Sequence, residues 1–137
     1  MRNDCIFCAI LDGDIDAYKV YEDELFCVIL DRFPKCLGHM LIMPKRHAPH
    51  VFDLNEEESQ QLIPLTQKIA TTMREVLNYE GLNLIQNNGP TAGQEVMHFH
   101  LHLIPRFDGD AMAVQYKRED PKEEDFLNMV EKIKKLM

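Results

Sequence analysis

Six consecutive residues, His98-Phe99-His100-Leu101-His102-Leu103, alternate an imidazole with an apolar side chain. A period of two fits a strand and no helix, because successive side chains of a strand point to opposite faces. The run predicts a strand over 98–105. His98, His100 and His102 would line one face, and Phe99, Leu101 and Leu103 would enter a core. The row is about 13 Å long at roughly 3.3 Å per residue. It takes half of the chain's six histidines. Imidazole is the usual acid–base, nucleophilic and metal-binding side chain near neutral pH, so the row points to chemistry rather than to a solvated strand face.

The rest of the chain supplies the partners such a strand needs. Residues 5–11 read as a short helix or turn ended by Asp12-Gly13-Asp14. Residues 17–21 and 24–30 read as a hairpin about Glu22-Asp23, and 39–43 as an apolar strand stopped by Pro44. Asp53 or Asn55 can cap a long helix that opens on Glu56-Glu57-Glu58 and runs to about Asn78, with Leu62, Leu65, Ile69, Met73 and Leu77 at helical spacing. Pro64 falls inside it and predicts a kink or a shifted start. Residues 82–86 read as a strand, 87–94 as a loop rich in turn residues, and 124–136 as an amphipathic last helix. Tight turns and a single long helix predict an α+β fold with a mostly antiparallel sheet, and 137 residues suit one domain over 1–137.

Charge narrows the partners. A formal net charge of −8 argues against nucleic acid, which needs a basic surface, and against anionic membranes. It leaves room for a small phosphate ligand at a local site. With no apolar run of targeting or membrane-spanning length, a cytoplasmic protein with reduced cysteines is expected.

The row admits two chemistries. A neutral imidazole with one ring nitrogen fixed as a donor is a nucleophile toward phosphorus, and a neighbour about 6.6 Å along the strand can clasp the same phosphoryl group. Three histidines can also hold a catalytic zinc. The flanks favour phosphate. Gly89-Pro90-Thr91-Ala92-Gly93-Gln94-Glu95 can bring backbone N–H groups and the Gln94 amide to an anion, and Gly38-His39 opens another strand with a fourth histidine.

These blocks together resemble the histidine triad superfamily. His98-Phe99-His100-Leu101-His102-Leu103-Ile104 matches its His-φ-His-φ-His-φ-φ signature, Gly38 to His47 resembles its Gly-His-hydrophobic-Pro-basic-basic-His block, and Cys5-Ile6-Phe7-Cys8-Ala9-Ile10 resembles its Hint branch. The resemblance implies a five-stranded antiparallel sheet with one long and one C-terminal helix, paired as a homodimer. It implies a purine nucleoside phosphoramidase or related nucleotide hydrolase in which His100 attacks the α-phosphorus. His102 would contact the phosphate oxygens, and His39 would support the nucleophile from a neighbouring strand. His98 completes the catalytic set. Asp31 would meet the ribose hydroxyls, while Asn87, Gly93 and Gln94 would line the phosphate site. Glu95 stands where a serine usually meets the leaving group, so a carboxylate there should favour an amine over an anion.

The Cys5-x-x-Cys8 knuckle can give two thiolates to one tetrahedral zinc. His47 and His98 are the candidate remaining ligands, a set the resemblance supports, with His50 as a substitute for His47. Other readings are a nucleotide-binding regulatory module with little turnover, a dinucleoside polyphosphate hydrolase, and a hydrolase whose metal sits on the triad itself. Lys45-Arg46 is a minimal basic patch able to steer a phosphate.

Overall fold

The computed structural model describes residues 4–111 and 117–137. In chain order they form α1 (Ile6–Leu11), β1 (Tyr18–Glu22), β2 (Phe26–Leu30), β3 (Met40–Pro44), α2 (Glu56–Leu77), β4 (Gly81–Ile85), β5 (Leu101–Arg106) and α3 (Glu123–Leu136). Short 3₁₀ turns occupy Val51–Asp53 and Pro90–Ala92. The five strands make one antiparallel sheet in the order β1-β2-β3-β5-β4.

Alternation assigns the two sides of the sheet. Phe26, Val28 and Ile42 face α2 and pack with Leu65, Ile69, Met73, Phe99, Leu101 and Leu103. Cys27, Ile29, Leu41 and Met43 face the other way and pack with Cys5, Phe7, Cys8 and Ile10 of the α1 segment. Strands covered on both faces read as unbroken apolar runs, which is why 26–30 and 40–44 carry no polar alternation. The hairpin turn is closed by Asp23, whose Oδ1 accepts from the amides of Leu25 and Phe26 at 2.7 Å each.

The long helix starts at Glu56 because Asn55 and Glu58 cap each other's backbone, with Asn55 Oδ1 accepting from Glu58 N at 2.8 Å and Glu58 Oε1 from Asn55 N at 2.9 Å. It runs through Pro64 to a left-handed Asn78 at φ 55°, so the proline does not shift the start of the helix. Leu65, Ile69 and Met73, buried against the sheet, hold both halves on one core.

The histidine strand begins later than expected. The ladder pairs Ile42 with Leu101, Leu41 with His102 and Met40 with Leu103. Carried two residues back, this register sets Phe99 opposite Pro44, which has no N–H to donate. The Pro44 carbonyl is already taken by His98 Nε2 at 2.8 Å, and Phe99 N instead bonds Ala48 O at 2.7 Å. His98 and His100 therefore lie on an approach to β5 rather than in the ladder. Phe99, Leu101 and Leu103 still enter the core at 2%, 7% and 0% exposure. The α3 helix contributes no buried residue. No helix among the described residues is long and apolar enough to cross a membrane.

Candidate active site and metal centre

The imidazoles form a connected row whose hydrogen bonds assign their protons. His100 Nδ1 lies 2.8 Å from the carbonyl oxygen of His98, so Nδ1 carries the proton and Nε2 keeps a free lone pair. His98 Nε2 lies 2.8 Å from Pro44 O, so its proton is on Nε2 and its Nδ1 lone pair is free. His39 accepts the Lys35 amide at Nδ1 (3.1 Å), which leaves its proton on Nε2. That Nε2–H faces His102 Nδ1 at 2.9 Å, and so His102 must carry its own proton on Nε2. The direct partner of His39 is thus His102; the expected support of the nucleophile runs through that ring. The His100 and His102 rings lie 4.9 Å apart between centroids.

Burial keeps these rings neutral. It pushes His102 from the ordinary 6.5 to about 4, helped by the His100 and His39 rings beside it. It pushes His98 to about 4 as well, against the pull of the Pro44 carbonyl, and it lowers His39 and His100. The carbonyl of His98 and the carboxylates of Asp31 and Glu95 partly offset the effect at His100. Between 6.5 and about 4 the unfolded chain therefore binds more protons than the folded one, and stability falls as pH falls through that window. Thermal unfolding followed from neutral pH downward should show Tm dropping across this range, with a shallower drop in His102→Gln. Equal slopes would show that His102 is not buried in its neutral form.

Asp31 stands at the edge of the row. Its Oδ2 is 3.5 Å from His39 Nε2, its Oδ1 accepts from Phe33 N at 2.9 Å, and its amide bonds His39 O at 2.8 Å. Asp31, His39 and His102 are close enough to hold a cation. A cation is disfavoured there, because the His39 nitrogen that would ligate is the one that carries its proton.

The second cluster is a better metal centre. Among the described residues, the donor atoms of Cys5, Cys8, His47 and His98 all lie within 4.8 Å of one another. Cys5 Sγ is 3.5 Å and Cys8 Sγ 3.6 Å from His98 Nδ1, and Cys8 Sγ is 3.3 Å from His47 Nδ1. A tetrahedral zinc with Zn–S near 2.3 Å and Zn–N near 2.0 Å holds sulfur and nitrogen about 3.5 Å apart, so the donor set fits that ion. None of the four cysteines is in a disulfide. His50 is elsewhere, facing Asp53 Oδ2 at 3.3 Å over the 3₁₀ turn, which separates it from His47. The three triad histidines do not together form a metal-capable group among the described residues, because His98 turns its free nitrogen to the thiols and His100 belongs to neither cluster. The reading that places a catalytic metal on the triad is not supported by this arrangement.

Other expected site residues meet the site by different routes. Gln94 is buried, donates from Nε2 to Pro49 O (2.7 Å) and Val96 O (3.0 Å), and accepts from Gly89 N (2.7 Å). Both its donors are spent on shaping the loop, so neither remains for a phosphate. Gly93 turns the loop at φ +96°, where a Cβ would sit 3.6 Å from the Asn87 amide nitrogen. Glu95 is exposed near His100. The basic patch is already neutralised, with Lys45 bonded to Glu22 at 2.9 Å and Arg46 to the buried Glu58 at 2.6 Å. The patch is thus ion-paired within the folded chain. An apolar groove of about 370 Å³ beside α2 holds none of the histidines.

Backbone partners carry much of this geometry and were invisible as motifs: the Pro44 carbonyl, the His98 carbonyl and the Lys35 amide. Phe7 is a further residue of the site that no motif marks. Its ring packs edge-on against His98 (5.9 Å) and His100 (5.0 Å), and its only sequence signal is its place inside the cysteine knuckle.

Sheet, buried imidazole row and thiol knuckle define a small α+β domain organised around a histidine-centred site. A HIT domain model matches residues 12–109, and the chain belongs to this family. Protein hit of Bacillus subtilis is 41% identical over 134 residues, covering 96% of this chain and 92% of the relative. Adenylylsulfatase HINT3 of Arabidopsis thaliana is 35% identical over 112 residues, covering 82% of this chain and 57% of the relative. The crystal structure of a HIT family member from Bacillus subtilis superposes with a TM-score of 0.91 at 40% identity, covering 98% of both chains. A Zn-bound histidine triad family protein from Mycobacterium smegmatis superposes with a TM-score of 0.75 at 41% identity, covering 89% of this chain and 86% of that one.

Proposed function

We propose that the protein hydrolyses purine nucleoside 5′-phosphoramidates or related nucleotide conjugates through a covalent nucleotidyl-histidine at His100. The observation that carries this is the Nδ1–H of His100 held on the His98 carbonyl at 2.8 Å, which leaves Nε2 as a neutral, buried nucleophile. Its lone pair forms the N–P bond at the α-phosphorus. The P–N bond to the amine breaks, and the amine takes the electron pair and a proton from solvent. Water then attacks phosphorus, the electron pair returns to His100, and the nucleoside monophosphate leaves. His102 presents Nε2–H to the phosphate oxygens, Asp31 is in reach of the ribose, and the 87–95 loop faces the phosphate with Asn87 and Gly93.

Zinc is the proposed occupant of the Cys5–Cys8–His47–His98 centre. Four protein donors complete a tetrahedral shell, so the ion supplies structure and no open position. The relative from Mycobacterium smegmatis described as Zn-bound supports the assignment. A homodimer in the cytoplasm completes the reading.

The test is release of AMP from adenosine 5′-phosphoramidate by the purified protein, with and without a chelator. Release is expected in both arms, slower with the chelator, which also lowers thermal stability. Release abolished at once by chelator while the fold persists would place a metal in the chemistry instead.

Glu95 sets the preferred leaving group. A carboxylate at this exposed rim disfavours an anion by on the order of 1 kcal/mol, or about fivefold. Glu95→Ser should raise the rate on adenylyl sulfate relative to the phosphoramidate by about that factor. An unchanged ratio would remove Glu95 from the selection. The adenylylsulfatase relative makes adenylyl sulfate the natural comparison substrate.

A further inference from the structure

We propose that Phe7 is a positioning residue for His100, and that closure of the Cys5–Cys8–His47–His98 centre is what seats it. This rests on His100 being the nucleophile. An imidazole turned over about its Cβ–Cγ bond occupies nearly the same space with its nitrogens displaced, so a fixed orientation needs more than shape. Two contacts hold the His100 ring. One is the bond from its Nδ1–H to the His98 carbonyl, and the other is the edge of Phe7, at 5.0 Å between centroids and 82° between planes.

Both contacts originate in the knuckle. Phe7 is 7% exposed and sits one residue before Cys8 on α1, a helix of six residues. A helix that short does not hold itself, so its placement depends on what it is attached to. Its first turn is tied by Cys5 Sγ, which accepts from Cys8 N at 3.4 Å, and both thiols reach His98 Nδ1. His98 in turn uses every polar group of its side chain and its carbonyl at once: Nε2–H to Pro44, Nδ1 to the thiols, and C=O to His100. One residue thus joins the thiol centre to the backbone atom that fixes the tautomer of the nucleophile. The same short helix delivers the ring that packs on the imidazole at 5.0 Å and limits its tilt away from that carbonyl. A metal shared by these four donors would lock the α1 backbone and the His98 carbonyl together.

The experiment compares the zinc-loaded wild type, the zinc-loaded Phe7→Met variant, the chelator-stripped wild type and zinc-loaded Leu65→Ala, a core change on α2 away from the knuckle. Nitrogen-15 spectra of labelled histidine report the tautomer of His100 at a pH where the rings are neutral, and steady-state kinetics separate kcat from KM. The expected result is one Nδ1–H tautomer in the loaded wild type and in Leu65→Ala. Phe7→Met and the stripped protein should show a mixture of tautomers, with kcat lowered on the order of ten- to a hundredfold and KM nearly unchanged. A single tautomer in folded Phe7→Met or in the stripped wild type would overturn the proposal, as would the same mixture in Leu65→Ala. Should Phe7→Met fail to fold, Phe7→Leu takes its place under the same criteria. The spectra are readable even if no phosphoramidate is hydrolysed, so failure of the proposed activity and failure of this positioning role are distinguishable.

Discussion

His100→Ala should lower kcat for phosphoramidate hydrolysis by four orders of magnitude or more, about 5.4 kcal/mol of transition-state stabilisation, while changing nucleotide affinity only a few-fold. The asymmetry follows from the geometry. His100 is the one ring of the row whose Nε2 lone pair has no assigned partner, its proton being committed to the His98 carbonyl. His102 and His39 present N–H instead, as their partners Lys35 N and each other require. Removing His102 costs a hydrogen-bond donor to the phosphate, an effect on the order of a hundredfold. Removing His100 takes away the bond-forming atom. Isothermal titration with AMP beside single-turnover rates separates the two contributions. Equal losses for His100→Ala and His102→Ala would place the nucleophile elsewhere.

The second large effect is on stability. Arg46→Ala should destabilise the fold by about 3 kcal/mol, lowering Tm by roughly 10 °C. Glu58 is 2% exposed and accepts from Arg46 Nη2 at 2.6 Å and Nε at 3.3 Å, as well as from Asn55 N at 2.9 Å. The same Arg46 nitrogen also donates to Asp53 O at 2.6 Å. Arg46 itself is about half exposed, so water tempers its side of the pair. The buried carboxylate decides the cost, because without the guanidinium it is left inside the protein with one backbone amide as its partner. Arg46→Ala combined with Glu58→Leu should recover much of the loss, since it removes the orphaned charge. A double variant no more stable than Arg46→Ala, measured by chemical denaturation, would mean that lost packing rather than the buried charge dominates.

How far the sequence reached depended on what kind of signal each feature left. The two-residue period of 98–103 was enough to place Phe99, Leu101 and Leu103 in the core and the imidazoles together. It could not place the start of β5, which is set by Pro44 lying opposite Phe99 on a strand more than fifty residues earlier. The long helix was legible from spacing and caps, and its passage through Pro64 was not, because the core contacts of Leu65, Ile69 and Met73 outweigh the local cost. The cysteine knuckle named two donors of the candidate metal centre. The separation of His47 from His50 depended on a turn capped by Asp53. Lys45 and Arg46 read as a patch because their partners, Glu22 and Glu58, meet them only in the folded chain. The tautomers were the least legible feature, since Lys35 N, Pro44 O and His98 O are backbone atoms that any residue carries.

The covalent step can be observed directly. The protein would be mixed with an AMP phosphoramidate labelled at the α-phosphorus, quenched in alkali within the first turnover, digested and analysed by mass spectrometry. A transient AMP adduct is expected on the peptide containing His98, His100 and His102, localised to His100 by fragmentation and missing from His100→Ala. Rapid release of AMP with no adduct at any quench time, or an adduct that persists in His100→Ala, would contradict it.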